Sequence, residues 1–220
     1  MFHEGRGVTE EFPTVTVVDH PLVRHKLTLL RDRLTSSAQF RALTRDLSMI
    51  IGLEATRDLA LEPIPIETPL EPMQGHRLLG GGPCVVSILR AGNGMLDGML
   101  QIMPSAGAGQ IGLARDEATL RPVEYYLKLP TDIKGRAVIV VDPMLATGGS
   151  AVAAIDRLKQ AGAGPIRFAC LIAAPEGLRR LIAAHADVPI FAAAIDRQLD
   201  ERGYIRPGLG DAGDRLHGTT

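Results

Sequence analysis

Four short apolar runs, Cys84–Leu89, 137–141, 168–173 and 190–195, constrain this chain more than any other feature, because none of them alternates apolar with polar residues. A strand with one buried face alternates, whereas a strand apolar almost throughout must be covered on both sides. Helical patterns at 94–102, 150–161 and 176–184 follow three of these runs. Strands and helices in that alternation build a parallel sheet between two helical layers. The expected fold is therefore α/β, a central and mainly parallel sheet flanked by helices. At 220 residues, 45% of them hydrophobic, the chain is long enough for one such core and short for two. Residues 1–220 are expected as a single domain, with 1–11 a flexible lead.

The chain ahead of the sheet is also patterned. Residues 14–18 alternate like a short strand, and Pro21 opens a helix carrying Leu22, Leu27, Leu30 and Leu34, a position where proline's missing N–H costs nothing. Ser36 and Gln39 have capping-box spacing, and Phe40, Leu43, Leu47, Ile50 and Ile51 recur at threes and fours after them. Four prolines at 63, 65, 69 and 72 force an extended course, read as an edge strand or an arm able to contact a second subunit. Residues 130–135 read as a turn into the central strand.

Composition removes several functions. A net charge of −1 offers no basic surface for nucleic acid or an anionic membrane. Aromatic residues make up 4% with no tryptophan, which disfavours base-stacking platforms. Cys84 and Cys170 lie inside apolar runs, where a thiol acts as a small buried hydrophobe, as suits a reducing compartment. No apolar run approaches the roughly 18–20 residues that span a bilayer, and 1–11 is polar and acidic, so a cytoplasmic protein is expected.

In parallel sheets of this kind ligands bind beyond the carboxyl ends of the strands. The loops there begin at Arg90, near Arg115, at Asp142 and at Asp196. After the run 137–141 the chain reads Asp142, Pro143, Met144, Leu145, Ala146, Thr147, Gly148, Gly149, Ser150, and then turns helical. Two glycines let successive backbone N–H groups curl toward one anion, at the positive end of the helix that begins near Ser150. Asp142, an acceptor-only carboxylate, is placed to take hydrogen bonds from a pair of neighbouring hydroxyls, as a ribose offers. A plain strand-to-helix turn is the alternative. Fingerprints of nucleoside triphosphate and dinucleotide binding are missing, with no Gly-Lys-Ser/Thr and no G-x-G-x-x-G.

Arg90, next to Gly92 and Gly94, offers a guanidinium beside backbone N–H groups, which suits a pyrophosphate; otherwise it pairs with Asp97 or another acid at the surface. Arg115-Asp116-Glu117, after a strand-like 110–113, reads by itself as a solvated loop.

Taken together, these loops resemble those of the type I phosphoribosyltransferases. The segment Gly203-Tyr-Ile-Arg-Pro-Gly-Leu-Gly-Asp-Ala-Gly-Asp214 narrows the resemblance to the uracil phosphoribosyltransferases, along with Ile88-Leu-Arg-Ala-Gly92, Ala173-Ala-Pro-Glu-Gly177 and His20-Pro-Leu-Val-Arg-His-Lys-Leu27. The resemblance runs over nearly the whole chain after about Val15. It implies transfer of a phosphoribosyl group from phosphoribosyl pyrophosphate (PRPP) to uracil N1, giving UMP and pyrophosphate. It implies that Asp142 to Ser150 hold the ribose and 5′-phosphate, and that Arg90 and Arg115 hold the pyrophosphate side. It also implies that Asp211 approaches the same substrate. By the same resemblance Tyr204, Ile205, Gly210, Asp211 and Ala212 are expected to meet uracil in a carboxyl-terminal hood at about 196–220. A packing role is the alternative for Tyr204.

The same resemblance implies Mg²⁺ carried in by PRPP rather than by an all-protein cage, a homodimer or higher homo-oligomer, and GTP as an effector in some relatives. Arg206 and His217 depart from the family pattern, where an aliphatic residue and an aromatic are usual. They bear on hood packing and base affinity rather than on the reaction. Three rivals are a phosphoribosyltransferase for purine or orotate, an RNA-binding regulator that senses PRPP or UMP, and an inactive scaffold. The hood, the near-neutral charge and the intact acids and glycines of the loops argue against them in turn.

Overall fold

The computed structural model describes residues 11–115 and 122–219, without the side chains of Arg115 and Pro122. Its sheet runs in the order β1 (Val15–Val17), β10 (Ile190–Ile195), β9 (Ile166–Ala173), β7 (Val138–Val141), β4 (Cys84–Leu89), β5 (Ala108–Arg115), β6 (Pro122–Lys128), with β8 (Met144–Leu145) also paired to β9. All of these pairs are parallel except β5 with β6. The four apolar runs thus become neighbouring central strands, and 110–113 lies within the longer β5. Edge strand β6 carries no apolar run, since Val123, Tyr125 and Tyr126 remain exposed.

Strand periodicity divides the core in two. Val86, Val138, Val140, Phe168 and Cys170 belong to a cluster with Ile155 and Leu158 of α4 (Gly149–Gln160) and Leu178 and Leu181 of α5 (Pro175–Ala184). Val85, Ile139, Val141, Ala169 and Leu171 point the other way, toward α1 (Pro21–Arg31), α2 (Ser37–Ala55), α3 (Gly92–Ile102) and α6 (Ala212–His217). Both cysteines are free and buried among these apolar side chains.

Helix α2 starts as the sequence suggests. The Ser36 side chain accepts from the Gln39 amide, Gln39 reaches back to the Ser36 amide, and Phe40, Leu47 and Ile51 are fully buried. Removing such a cap costs about 1 kcal/mol. In α1, Leu27 and Leu30 are buried while Leu22 is exposed, and Leu34 lies beyond the helix in solvent.

The proline-rich stretch is an arm, the two-stranded hairpin β2 (Leu61–Glu67) and β3 (Pro72–Leu78), separate from the main sheet. Backbone bonds from Leu79 to Ala60 and from Thr68 to Glu71 mark its hydrogen-bonded positions. By alternation Pro63 and Pro65 fall at the positions between, where no N–H is needed. The arm leaves Leu61, Ile66, Leu70 and Met73 exposed. Near the carboxyl terminus β11 (Gln198–Leu199) and β12 (Ile205–Arg206) form a second small hairpin before α6.

Candidate functional site

The central strands β4, β7, β9 and β10 run parallel, so the loops after them share one edge of the sheet. Asp142 follows the last residue of β7. The next three residues return to the sheet. The Pro143 carbonyl accepts from the Leu171 and Ile172 amides (3.0 and 3.1 Å), the Leu145 carbonyl accepts from the Ala174 amide (2.9 Å), and the Leu145 side chain is buried. Ala146, Thr147, Gly148, Gly149 and Ser150 remain as the free turn.

Gly148 adopts φ +77, and α4 begins at Gly149 with no side chain capping it. The leading N–H groups of Gly149, Ser150 and Ala151 have no intrahelical acceptor, and the positive end of the helix dipole is added to them. That is a receptor for an anion. Asp142, half-buried beside this turn, has its carboxyl pushed up to about 7 by burial, which the Met144 amide only partly offsets.

The Arg90 loop lies against the same strand end. A Cβ on Gly92 would stand 2.6 Å from the Val141 carbonyl oxygen, so only glycine allows this approach beside Asp142. The Asn93 side-chain oxygen accepts from the Ser87 hydroxyl (2.7 Å) and the Gln110 amide (3.2 Å), tying the loop to β4 and β5. Arg90 follows a cis peptide and is largely exposed. Its acid neighbour is Asp214 at 4.0 Å rather than Asp97. Arg115 ends β5 three residues past Gly112, the partner of Leu89. Its side chain and the rest of Arg115-Asp116-Glu117 lie outside the described residues.

The carboxyl-terminal segment closes toward these loops. A Cβ on Gly203 would be 3.7 Å from the Thr147 methyl. Asp200 organises the β11–β12 turn, its carboxylate accepting from the Arg202 and Tyr204 amides (both 3.0 Å) and from Arg206 Nε (2.8 Å). Arg206 is therefore an exposed partner of Asp200, and it does not disturb the packing of Ile205 beneath it. Tyr204 is 44% exposed, against the packing alternative for its ring. Ile205 and Ala212 have buried side chains, so either can offer a ligand only its backbone. Gly210 sits at φ +79, and Asp211 caps α6 by accepting from the Asp214 amide (2.9 Å), which leaves its other carboxylate oxygen uncommitted by that bond. His217 is exposed at the end of α6.

The structure thus gathers Asp142, the 146–150 turn, Arg90, Asp211 and the Tyr204 turn at one end of the sheet. It adds two side chains that pattern reading missed. Arg180 of α5 lies with its guanidinium 3.5 to 3.8 Å from the position of a Cβ on Gly149. The spacing of three puts Arg180 on one helix face with Gly177, but nothing local says that this face meets the turn. Arg31 at the end of α1 reaches Asp196 and Gly208 (2.5–2.7 Å), contacts across more than 160 residues that no local pattern encodes.

Among the described residues, no three His, Cys, Asp or Glu side chains cluster in a way that could hold a metal ion, and no helix is long and apolar enough to cross a membrane.

Residues 17–219 match the sequence profile of the uracil phosphoribosyltransferase family. The uracil phosphoribosyltransferase of Brucella anthropi is 60% identical over 205 residues, 93% of this chain and 99% of that protein. That of Mesorhizobium japonicum is 58% identical over 93% of this chain and 98% of its own length. Among solved structures, the AQ2163 protein from Aquifex aeolicus superposes with a TM-score of 0.88 at 37% identity, covering 94% of this chain and 99% of the other. The adenine phosphoribosyl transferase of Trypanosoma brucei, solved with AMP, pyrophosphate and ribose-5-phosphate, shares the fold at a TM-score of 0.57 and 13% identity, over 92% of this chain and 90% of its own.

Proposed function

The chain belongs to the uracil phosphoribosyltransferase family, and we propose that it joins uracil to the phosphoribosyl group of PRPP at the end of the sheet where Asp142, Arg90 and the Tyr204 turn meet. It is an enzyme of the type I phosphoribosyltransferase fold. In the reaction the bond from ribose C1 to pyrophosphate breaks, a bond from C1 to uracil N1 forms, and the N1 proton is lost. The products are UMP and pyrophosphate.

The observation that supports this reading most directly is the pairing of Asp142 with an uncapped helix start at Gly149. The N–H groups of 149–151 suit the 5′-phosphate, and the Asp142 carboxylate suits the ribose hydroxyls. A ribose held at both ends presents C1 in one orientation to an incoming nucleophile, which lowers the entropic part of the barrier. Positive charge at the departing pyrophosphate matters most, because that group gains charge as the ribose becomes cationic. Arg90 and Arg115 are assigned to it.

The free carboxylate oxygen of Asp211 and the Asp142 carboxylate fit a cation that arrives on the substrate, being too few to cage one alone. When bound, Mg²⁺ withdraws electron density from the leaving group. The base is read by the backbone of 204–212, with Tyr204 at its rim. Main-chain groups that complement uracil would oppose cytosine with an unpaired buried partner, worth factors of about 10⁴ in discrimination. The arm's exposed Leu61, Ile66, Leu70 and Met73 fit a homodimer or larger assembly. Light scattering with and without GTP measures both that assembly and any response to the nucleotide.

The deciding experiment supplies PRPP and Mg²⁺ with uracil, cytosine, orotate, adenine or hypoxanthine in turn and measures nucleotide formed. UMP alone is expected. Equal use of a purine or of cytosine would overturn the assignment of the base.

A further inference from the structure

We propose that Arg31 and Asp196, an ion pair with a part-buried guanidinium and a buried carboxylate, outside the substrate-contacting residues, are positioning residues that set the enzyme's selectivity for its base. Asp196 follows β10, and its side chain is 4% exposed. Arg31, the last residue of α1, meets both of its oxygens, Nη1 at 2.7 Å and Nη2 at 2.5 Å. The pair then grips one residue of the carboxyl-terminal segment from both sides. The Gly208 amide donates to Asp196 Oδ2 at 2.9 Å, and the Gly208 carbonyl accepts from Arg31 Nη1 at 2.7 Å.

Gly208 is held at φ +70, and a Cβ there would collide with the Ile205 carbonyl oxygen, so this fastening point accepts only glycine. Gly208 lies between Ile205 and the run Gly210 to Ala212. If the backbone of these residues reads the base, its N–H and C=O groups discriminate only while they stay in place. A two-residue hairpin pairing cannot hold them by itself. The pair connects them to α1 and to the end of β10, which are anchored in the core.

The physical cost supports this reading. Burying the Asp196 carboxylate carries a desolvation cost that its part-buried partner offsets only in part, so the pair is better explained by the geometry it imposes than by net stability. The bidentate fork supplies that geometry, since Arg fixes direction as well as charge and Lys does not.

The inference rests on the proposed reading of 204–212 as the base-binding backbone. Its test uses Arg31→Lys and the double variant Arg31→Met/Asp196→Asn, assayed with PRPP and either uracil or cytosine beside a thermal unfolding measurement. The expected result for the double variant is a rise of about ten- to a hundredfold in KM for uracil, the equivalent of one or two hydrogen bonds to a charged group. KM for PRPP stays within about twofold and the preference for uracil over cytosine narrows, while Arg31→Lys falls between the two enzymes. Unchanged uracil KM and selectivity in a folded variant would overturn the proposal. Equal decline of every kinetic constant with lost thermal stability would overturn it as well, by showing a merely structural pair. Failure of the unaltered enzyme to form UMP would instead sink the proposed function.

Discussion

Gly177 stands where any side chain would strike the backbone of the turn that follows β8: a Cβ there would lie 2.7 Å from the Leu145 carbonyl oxygen and closer still to that of Ala146. The first turn of α5 is thereby pressed against the loop that leaves β8. Gly177→Ala must displace that loop or the helix. Small-to-large changes at such sites cost about 1–3 kcal/mol, and misplacing a substrate-positioning loop by about 1 Å can cost 10²-fold in rate. The expected variant has a lowered melting temperature and a KM for PRPP raised at least about tenfold, with KM for uracil changed much less. Steady-state kinetics with each substrate varied in turn checks the split.

Asp142→Asn separates stability from activity. Losing hydrogen bonds to a charged group should reduce kcat/KM for PRPP by about tenfold or more. Burial pushes the native carboxyl up to about 7, so KM for PRPP should rise as pH falls below that value, and the Asn variant should lack this limb. The folded value lies above the ordinary 3.8, so between these values the folded protein holds more of this proton than the unfolded chain. Stability contributed here is full below about 3.8 and is lost as pH rises through about 7. Urea unfolding at pH 8 should find the Asn variant more stable, by at most about 4 kcal/mol and less to the extent that solvent reaches the carboxyl, with little difference at pH 4.

Arg180 adds positive charge beside the start of α4, where the dipole is already positive. An exposed cation there favours a bound phosphate only through solvent. Arg180→Met should raise KM for PRPP about two- to fivefold at low salt, with the difference fading near 0.5 M salt. A salt-independent change would assign Arg180 to packing.

Arg206 departs from the family pattern at a position on the opposite face of its strand from buried Ile205. It is exposed and pairs with Asp200 on the outer side of the β11–β12 turn. Arg206→Ala should leave KM for uracil within about twofold, as expected of a surface ion pair. Asp200→Ala, which removes the acceptor for the Arg202 and Tyr204 amides as well, should raise it further.

Some of this was readable in the chain and some was not. The four apolar runs and the helices between them were legible because burial on both faces leaves strands without polar positions. The capping box at Ser36 and Gln39, and the turn at Gly148, were legible because each is made by residues a few positions apart. Strand β6 was not, because an antiparallel edge with exposed tyrosines lacks the apolar signature. The strand β8 was hidden inside a motif. The carbonyls of Pro143, just ahead of it, and of Leu145 are committed to β9 and to Ala174, so the free turn is shorter than the motif that announces it.

The sequence by itself determined the four central strands, the acid at the end of β7 and the glycine turn that follows, since these depend on local burial patterns and local backbone freedom. Only the tertiary structure decided what surrounds them. Arg31 meets Asp196, Arg180 lies beside Gly149, and Asp142 loses enough solvent to titrate near neutrality. Such relationships join residues far apart in the chain, and their energies come from distance and desolvation. Neither quantity exists until the chain has folded.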